Sequence, residues 1–175
     1  MSLRIIDVAG LKKSGKTTVV ENLVAELTAR GYKVGTIKKI HIPGFTIDTK
    51  GKDTFRHKAA GAEFVISLAP SEVALIRNLK KERSLEEISD LIPLDTDFLI
   101  CEELNEARDD IIYIITLKTL NDLAETLRVR AVGNKIIALS GVVANFETYH
   151  EKYPIINITM PTGRKLIADL IEKCD

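Results

Sequence analysis

The chain has 175 residues, of which 45% are apolar and 29% charged, and its 25 Lys or Arg balance 25 Asp or Glu. That length suits one domain, 1–175, whose core can hold without staples, and two cysteines are too few for a disulfide framework or a zinc cluster. Zero net charge argues against a general nucleic-acid binder, and no apolar run approaches the roughly 18 residues of a membrane span.

The opening MSLRIIDVAG lacks the apolar stretch and cleavage site of a secretory signal, so the cytoplasm is the expected compartment. Within it, RIIDVAG is a β-branched run ending in glycine and predicts a strand. After the loop GLKKSGKT, the segment TTVVENLVAELTARGYK sets Val20, Leu23, Val24 and Leu27 at helical spacing, with Gly31 as a stop. KVGTIKK predicts the next strand, which completes a βαβ unit. IHIPGFTIDTKGKD reads as a long loop over the edge that carries GLKKSGKT, and KDTFRHKAAGA as a short helix.

EFVISLAP and EVALIRNL flank a Pro-Ser turn and predict an antiparallel hairpin. SLEEISDLI opens with Ser84 before Glu87 in a capping-box pattern and predicts a helix. DFLICEE and DIIYIITL are buried-type strands, with Cys101 as a small core residue. TLNDLAETLRV predicts a helix, and KIIALSGVV and PIINITM two further strands. TGRKLIADLIEKC closes the chain as a helix with Leu166, Leu170 and Ile171 on one side. The alternation predicts an α/β domain with a mostly parallel sheet flanked by helices, carrying the antiparallel hairpin as an insertion.

Gly10-Leu11-Lys12-Lys13-Ser14-Gly15-Lys16-Thr17 fits the pattern G-x-x-x-x-G-K-[ST] in full, between a predicted strand and a predicted helix. The glycines permit a tight turn whose N–H groups converge, and the following helix adds its positive end. Lys16 would bring an ammonium to the β- and γ-phosphates and serve as the catalytic cation, while the Thr17 hydroxyl would ligate Mg²⁺. Ser14 and Thr18 complete the expected phosphate cradle, to which Lys12 and Lys13 add charge. The basic residues gather here: residues 1–60 carry twelve Lys or Arg against five Asp or Glu. The bland alternative is a helix start capped by Ser14 beside a solvated lysine cluster.

Mg²⁺ usually also wants a carboxylate. Glu102 ends the run DFLIC at the sheet edge where α/β ligands gather, and Asp48 precedes the short helix; both are candidates. Asp97, at the other end of that run, is expected to be structural. The base is less readable. At Asn134, NKII has Ile137 where a guanine-reading Asp would stand, so that motif is rejected. Asn145, after a late strand, is either a base contact or a turn residue. His41, His57 and His150 share no metal-ligand spacing.

Three stretches resemble the molybdopterin-guanine dinucleotide biosynthesis adaptor (MobB) family: GLKKSGKTTVVENLVAELTARGYKVGTIK, GFTIDTKGKDTFRHKAAGA and DFLICEE. The resemblance implies a P-loop NTPase fold, a homodimer, and GTP bound with Mg²⁺ and hydrolysed slowly if at all. It further implies a supporting role beside the guanylyltransferase that attaches GMP to molybdopterin. The family's phosphate role carries to Gly10 through Thr17 and its acidic metal-side positions to Asp48 and Glu102. The family continues that Glu with a glycine turn, whereas Glu103-Leu104-Asn105 follows here, so the loop is expected to bend differently. A small-molecule kinase or ATP-dependent ligase on the same fold is the rival reading, with Arg56 as its candidate phosphoryl clamp.

Overall fold

Three of the seven residues of the first strand are β-branched, as suits a strand covered on both faces. β1 (Arg4–Gly10) runs RIIDVAG, with its last five residues buried. The structure, a computed structural model, describes residues 3–79 and 81–174. The chain divides into two compact units, residues 1–39 with 92–175 and residues 40–91.

In the first unit, α1 (Lys16–Ala29) follows β1 and leads to β2 (Val34–Lys38). β5 (Phe98–Glu102) and β6 (Ile111–Thr116) are buried at every position, as strands covered on both faces should be. α3 (Asp122–Val129), β7 (Ile136–Ser140) and α4 (Pro161–Glu172) complete the unit. Among the described residues the sheet order is β2-β5-β1-β6-β7, and every pairing is parallel. β1 is central, flanked by strands from later in the chain. That is the topological switch at which the loop beyond a strand is free to bind a ligand.

Ile6 and Val8 alternate along β1 toward a core shared with Val19, Leu23 and Leu27 of α1 and Ile167, Ala168 and Ile171 of α4. α1 ends where Gly31 turns left-handed, at φ 89°. The alternate residue Asp7 is fully buried, and its Oδ1 accepts a 3.0 Å bond from Leu104 N. Asp97 is structural as expected, its Oδ2 accepting from Lys33 N at 2.8 Å. Cys101 is a core residue, and burial together with the Asp7 and Glu106 charges pushes its thiol up to about 12.

The second unit holds α2 (Asp53–Ala59) and the hairpin β3 (Phe64–Leu68) with β4 (Val73–Arg77), paired antiparallel as expected. Ala69 N donates to Glu72 O at 2.9 Å and closes the turn.

Three expectations need correction. Over Glu86–Leu91 the chain forms a 3₁₀ turn and not an α-helix. The capping box is present, with Ser84 N on Glu87 Oε2 at 3.0 Å and Glu87 N on Ser84 Oγ at 3.4 Å. Leu85 is buried but no residue of Glu86–Leu91 is, so the turn has no apolar face to extend it, and Pro93 disfavours helix at the residue before it. PIINITM contributes only an isolated bridge, Ile155 with Leu139. Asn157 Oδ1 captures Thr159 N at 3.1 Å and Thr159 Oγ1 at 2.6 Å, turning the chain toward α4 before a strand can extend. Finally, α4 buries Gly163, Ile167, Ala168 and Ile171 and leaves Leu166 49% exposed. Its close approach to the Asn157 carbonyl, 2.0 Å from where a Cβ on Gly163 would sit, sets that face.

No helix among the described residues is long and apolar enough to cross a membrane.

Candidate functional site: the loop between the first strand and the first helix

The loop beyond β1 is pinned from two sides. Ser14 Oγ and Thr116 Oγ1, at the end of β6, are 2.7 Å apart. Ser14 O accepts from Val142 N at 3.1 Å, beyond β7. Gly10 must be glycine, because a Cβ there would lie 2.2 Å from Thr116 Oγ1 and 2.6 Å from Ser14 Oγ. Gly15 takes φ 96° at the entrance to α1, a conformation that costs other residues about 1–2 kcal/mol. Lys13 is also left-handed, at φ 65°.

Ser14 is therefore committed to β6 and does not cap α1, whose entrance has no side-chain cap. The amides of the first helical turn have no intrahelical acceptor and carry the positive end of the helix dipole. Lys16 is not solvated; it is 8% exposed. Its Nζ turns back into the loop and donates to Gly10 O at 3.1 Å and Leu11 O at 2.8 Å. It also meets Glu103 Oε1 at 3.2 Å. Neither a Ser14 cap nor a solvated Lys16, two parts of the bland alternative, is present. Lys12, Lys13, Thr17 and Thr18 are exposed around the loop.

Thr17 Oγ1 donates to Glu102 Oε1 at 3.1 Å, so the expected hydroxyl–carboxylate pair is assembled. Glu102 is 7% exposed at the end of β5, and Lys38 Nζ binds the same oxygen at 2.6 Å. Asp48 lies in the other unit. There its Oδ1 accepts from Thr54 Oγ1 at 2.8 Å and its Oδ2 pairs with Lys58 Nζ at 3.3 Å. The Thr54 hydroxyl, with Lys58 behind it, holds this carboxyl below the usual range. Among the described residues no three His, Cys, Asp or Glu side chains group as a metal cluster. His41 and His57 are exposed, and His150 Nδ1 accepts from Lys152 N at 3.2 Å in a local turn.

A cleft of about 120 Å³ opens beside Gly15 and Thr18, bounded by Gly141, Val142, Asn145, Asn157 and Thr159. Asn145 Oδ1 accepts from Asn157 Nδ2 at 3.0 Å.

Sequence reasoning missed Thr116, Glu103 and Arg130. Thr116 pins the loop from across the sheet. Glu103 joins Lys16 to Arg130, whose Nη2 is 2.8 Å from Glu103 Oε1. Glu103 takes the left-handed conformation itself, at φ 61°, so the turn after β5 does not need a glycine to form. The signal was the doubled Glu102-Glu103; nothing local marked Arg130.

A parallel sheet feeding a glycine loop and a helix, with a lysine folded into the loop, defines a P-loop-type α/β domain. Residues 5–139 match the family described as Molybdopterin guanine dinucleotide synthesis protein B, and the chain belongs to that family. A probable molybdopterin-guanine dinucleotide biosynthesis adapter protein of Bacillus subtilis is 28% identical over 162 residues, 91% of this chain and 88% of the relative. The corresponding adapter protein of Haemophilus influenzae is 37% identical over 82 residues, 47% of this chain and 46% of the relative. The match thus spans about half the length of that second protein. The crystal structure of Bacillus subtilis MobB superposes with a TM-score of 0.75 at 25% identity, covering 95% of this chain and 97% of that one. A MobB homolog from Bacillus stearothermophilus gives 0.67 at 20% identity, covering 97% and 99%, a likeness of fold.

Proposed function

We propose that this chain is a GTP-binding adapter in molybdopterin-guanine dinucleotide assembly, acting in the cytoplasm as a homodimer beside the guanylyltransferase and molybdopterin, and at most a slow GTPase. The observation that carries the reading is Lys16, buried and folded into the loop ahead of the uncapped start of α1. In this reading the loop amides and Lys16 hold the terminal phosphates, and the whole chain, 1–175, works as one nucleotide-binding domain. The cleft beside Thr18 and Asn145 takes the nucleoside end.

The donors at Thr17 and Glu102 fit Mg²⁺, since both are hard oxygen ligands brought within 3.1 Å of each other at the loop. Those two residues would hold the ion, which would supply charge neutralisation at the terminal phosphates. Lys16 shares that task from the loop side.

The homodimer reading is supported by the hairpin. Phe64, Ile66, Leu68, Val73 and Leu75 are all exposed, and the strand register sets them on one face. A contiguous apolar face of this kind marks an interaction surface. The kinase reading gains no support from Arg56, whose exposed guanidinium pairs with Asp53 at 3.5 Å.

Calorimetric titration of GTP and ATP with Mg²⁺ tests the proposal, followed by turnover with and without molybdopterin and the guanylyltransferase. GTP should bind more tightly. Lys16→Ala should weaken it by on the order of tenfold to hundredfold, the worth of a charge-assisted contact. Preference for ATP with acceptor-dependent ADP release would overturn the adapter reading. A Lys16→Ala variant that binds like the parent would overturn the phosphate site altogether.

A further inference from the structure

The connection between β5 and β6 places a carboxylate inside a cluster of cations. Glu103 Oε1 lies 3.2 Å from Lys16 Nζ and 2.8 Å from Arg130 Nη2, so one oxygen bridges the first turn of α1 and the end of α3. Lys16 has three N–H donors, and this structure gives them three acceptors: Gly10 O, Leu11 O and Glu103. A phosphate oxygen can reach Lys16 only by displacing one of them. Two are loop carbonyls fixed by the turn; the third is a side chain free to rotate.

Arg130 is also incompletely satisfied. Its Nε is buried with no hydrogen-bond acceptor in reach. A guanidinium presents N–H groups in a fork suited to paired phosphate oxygens, and a single carboxylate oxygen uses little of that fork. The main chain around both groups is held. Glu103 N donates to Val8 O at 3.2 Å, Leu104 N to Asp7 Oδ1 at 3.0 Å, and Ala131 N to Asn105 Oδ1 at 2.8 Å. The last bond ties the residue after Arg130 to the loop that carries Glu103. Exchange of anions therefore asks only for side-chain rotation.

We propose that Glu103 is a resident anion of the phosphate site, displaced when a polyphosphate enters, and that Arg130 is a phosphate-binding cation that the displacement releases. This rests on the phosphate-site reading of the loop. The exchange conserves charge pairing: Lys16 and Arg130 give up one carboxylate and receive phosphate oxygens, while Glu103 turns to solvent. Were Glu103 to stay, its charge would face the incoming phosphate and oppose it.

The test titrates inorganic tripolyphosphate and Mg²⁺-GTP into the full chain and its variants Lys16→Ala, Glu103→Gln and Glu103→Gln/Arg130→Gln, with thermal melts to confirm folding. Glu103→Gln should tighten tripolyphosphate binding by about tenfold, and adding Arg130→Gln should take about tenfold back, each the worth of one charge-assisted contact. If Lys16→Ala loses binding but Glu103→Gln does not tighten it, the displacement fails and the phosphate site stands. If Glu103→Gln tightens binding and Arg130→Gln in that background changes nothing, the role of Arg130 fails. If Lys16→Ala binds like the parent, the phosphate site falls and this inference with it.

Discussion

The two units of the chain bury their apolar residues in opposite ways. In the first, every residue of β5 and β6 is buried, and α1 sets Val19, Leu23 and Leu27 against the sheet. In the second, α2 buries no residue and β3 buries only Val65, while Ile66 is 56% and Leu68 83% exposed. The first unit has a core of its own, on which a fixed loop can be built. A two-stranded hairpin is marginal alone in water, and this one leaves its apolar face exposed. Rigidity is placed where phosphate chemistry is proposed, and apolar exposure where association is proposed.

Truncating side chains breaks or sharpens that contrast most directly. Leu23→Ala removes a fully buried side chain from the α1–sheet core and should cost about 2–5 kcal/mol. Ile66→Ala, half exposed on the hairpin, should cost the monomer under about 1 kcal/mol. Urea unfolding of both variants measures the difference, and equal losses would erase the distinction between the units.

Asp7 sharpens it through pH. Burial, partly offset by the Leu104 and Asn105 amides and reinforced by the Glu103 and Glu106 charges, raises its carboxyl from 3.8 to about 6. Because the folded pKa is the higher, the stabilising contribution is complete below about 4 and is lost as pH rises through about 6. Between those limits the loss is about 3 kcal/mol. Asp7→Asn has no such titration. Its stability relative to the parent should therefore improve from pH 4 to pH 7, as measured by urea unfolding at both.

The hairpin gives the next effect. Leu68→Asp with Leu75→Lys should shift sedimentation from dimer to monomer while moving monomer stability by no more than about 0.5 kcal/mol. A dimer that survives both charges would place the contact elsewhere.

The division between what the sequence reveals and what it hides follows contact range. Gly10 through Thr17 was legible because the glycines, the lysine and the helix that follows are local to one another. The hairpin and the capping box were legible for the same reason. The Thr17–Glu102 contact spans 85 residues, yet both ends were marked, one by the loop and one by the end of an apolar strand. Thr116 and Arg130 carried no mark of their own. Their roles arise only when parallel pairing brings β6 beside β1 and the chain after α3 beside the β5–β6 turn. The face of α4 was misread because Leu166 fits the helical period as well as Ile167 does. The packing of Gly163 on Asn157 decides between them, and that contact is tertiary. The missing strand at PIINITM failed through turn chemistry, with Asn157 outcompeting the ladder.

Glu103 tests the finest point of the comparison, whether the first unit stores strain beside its loop. Its φ of 61° costs a residue with a Cβ about 1–2 kcal/mol, a cost glycine escapes. Glycine gives back part of that gain through the freedom it has when unfolded. Glu103→Gln and Glu103→Gly both remove the ion pairs to Lys16 and Arg130, each worth about 0–1 kcal/mol at this partial exposure. Only the glycine variant also relaxes the backbone. The difference between the two variants in urea unfolding therefore isolates the turn, and Glu103→Gly should exceed Glu103→Gln in stability by about 1 kcal/mol. Equal stabilities would mean that the anchors at Val8, Asp7 and Ala131 hold the left-handed turn without strain, and that Glu103 stands there at no cost to the fold.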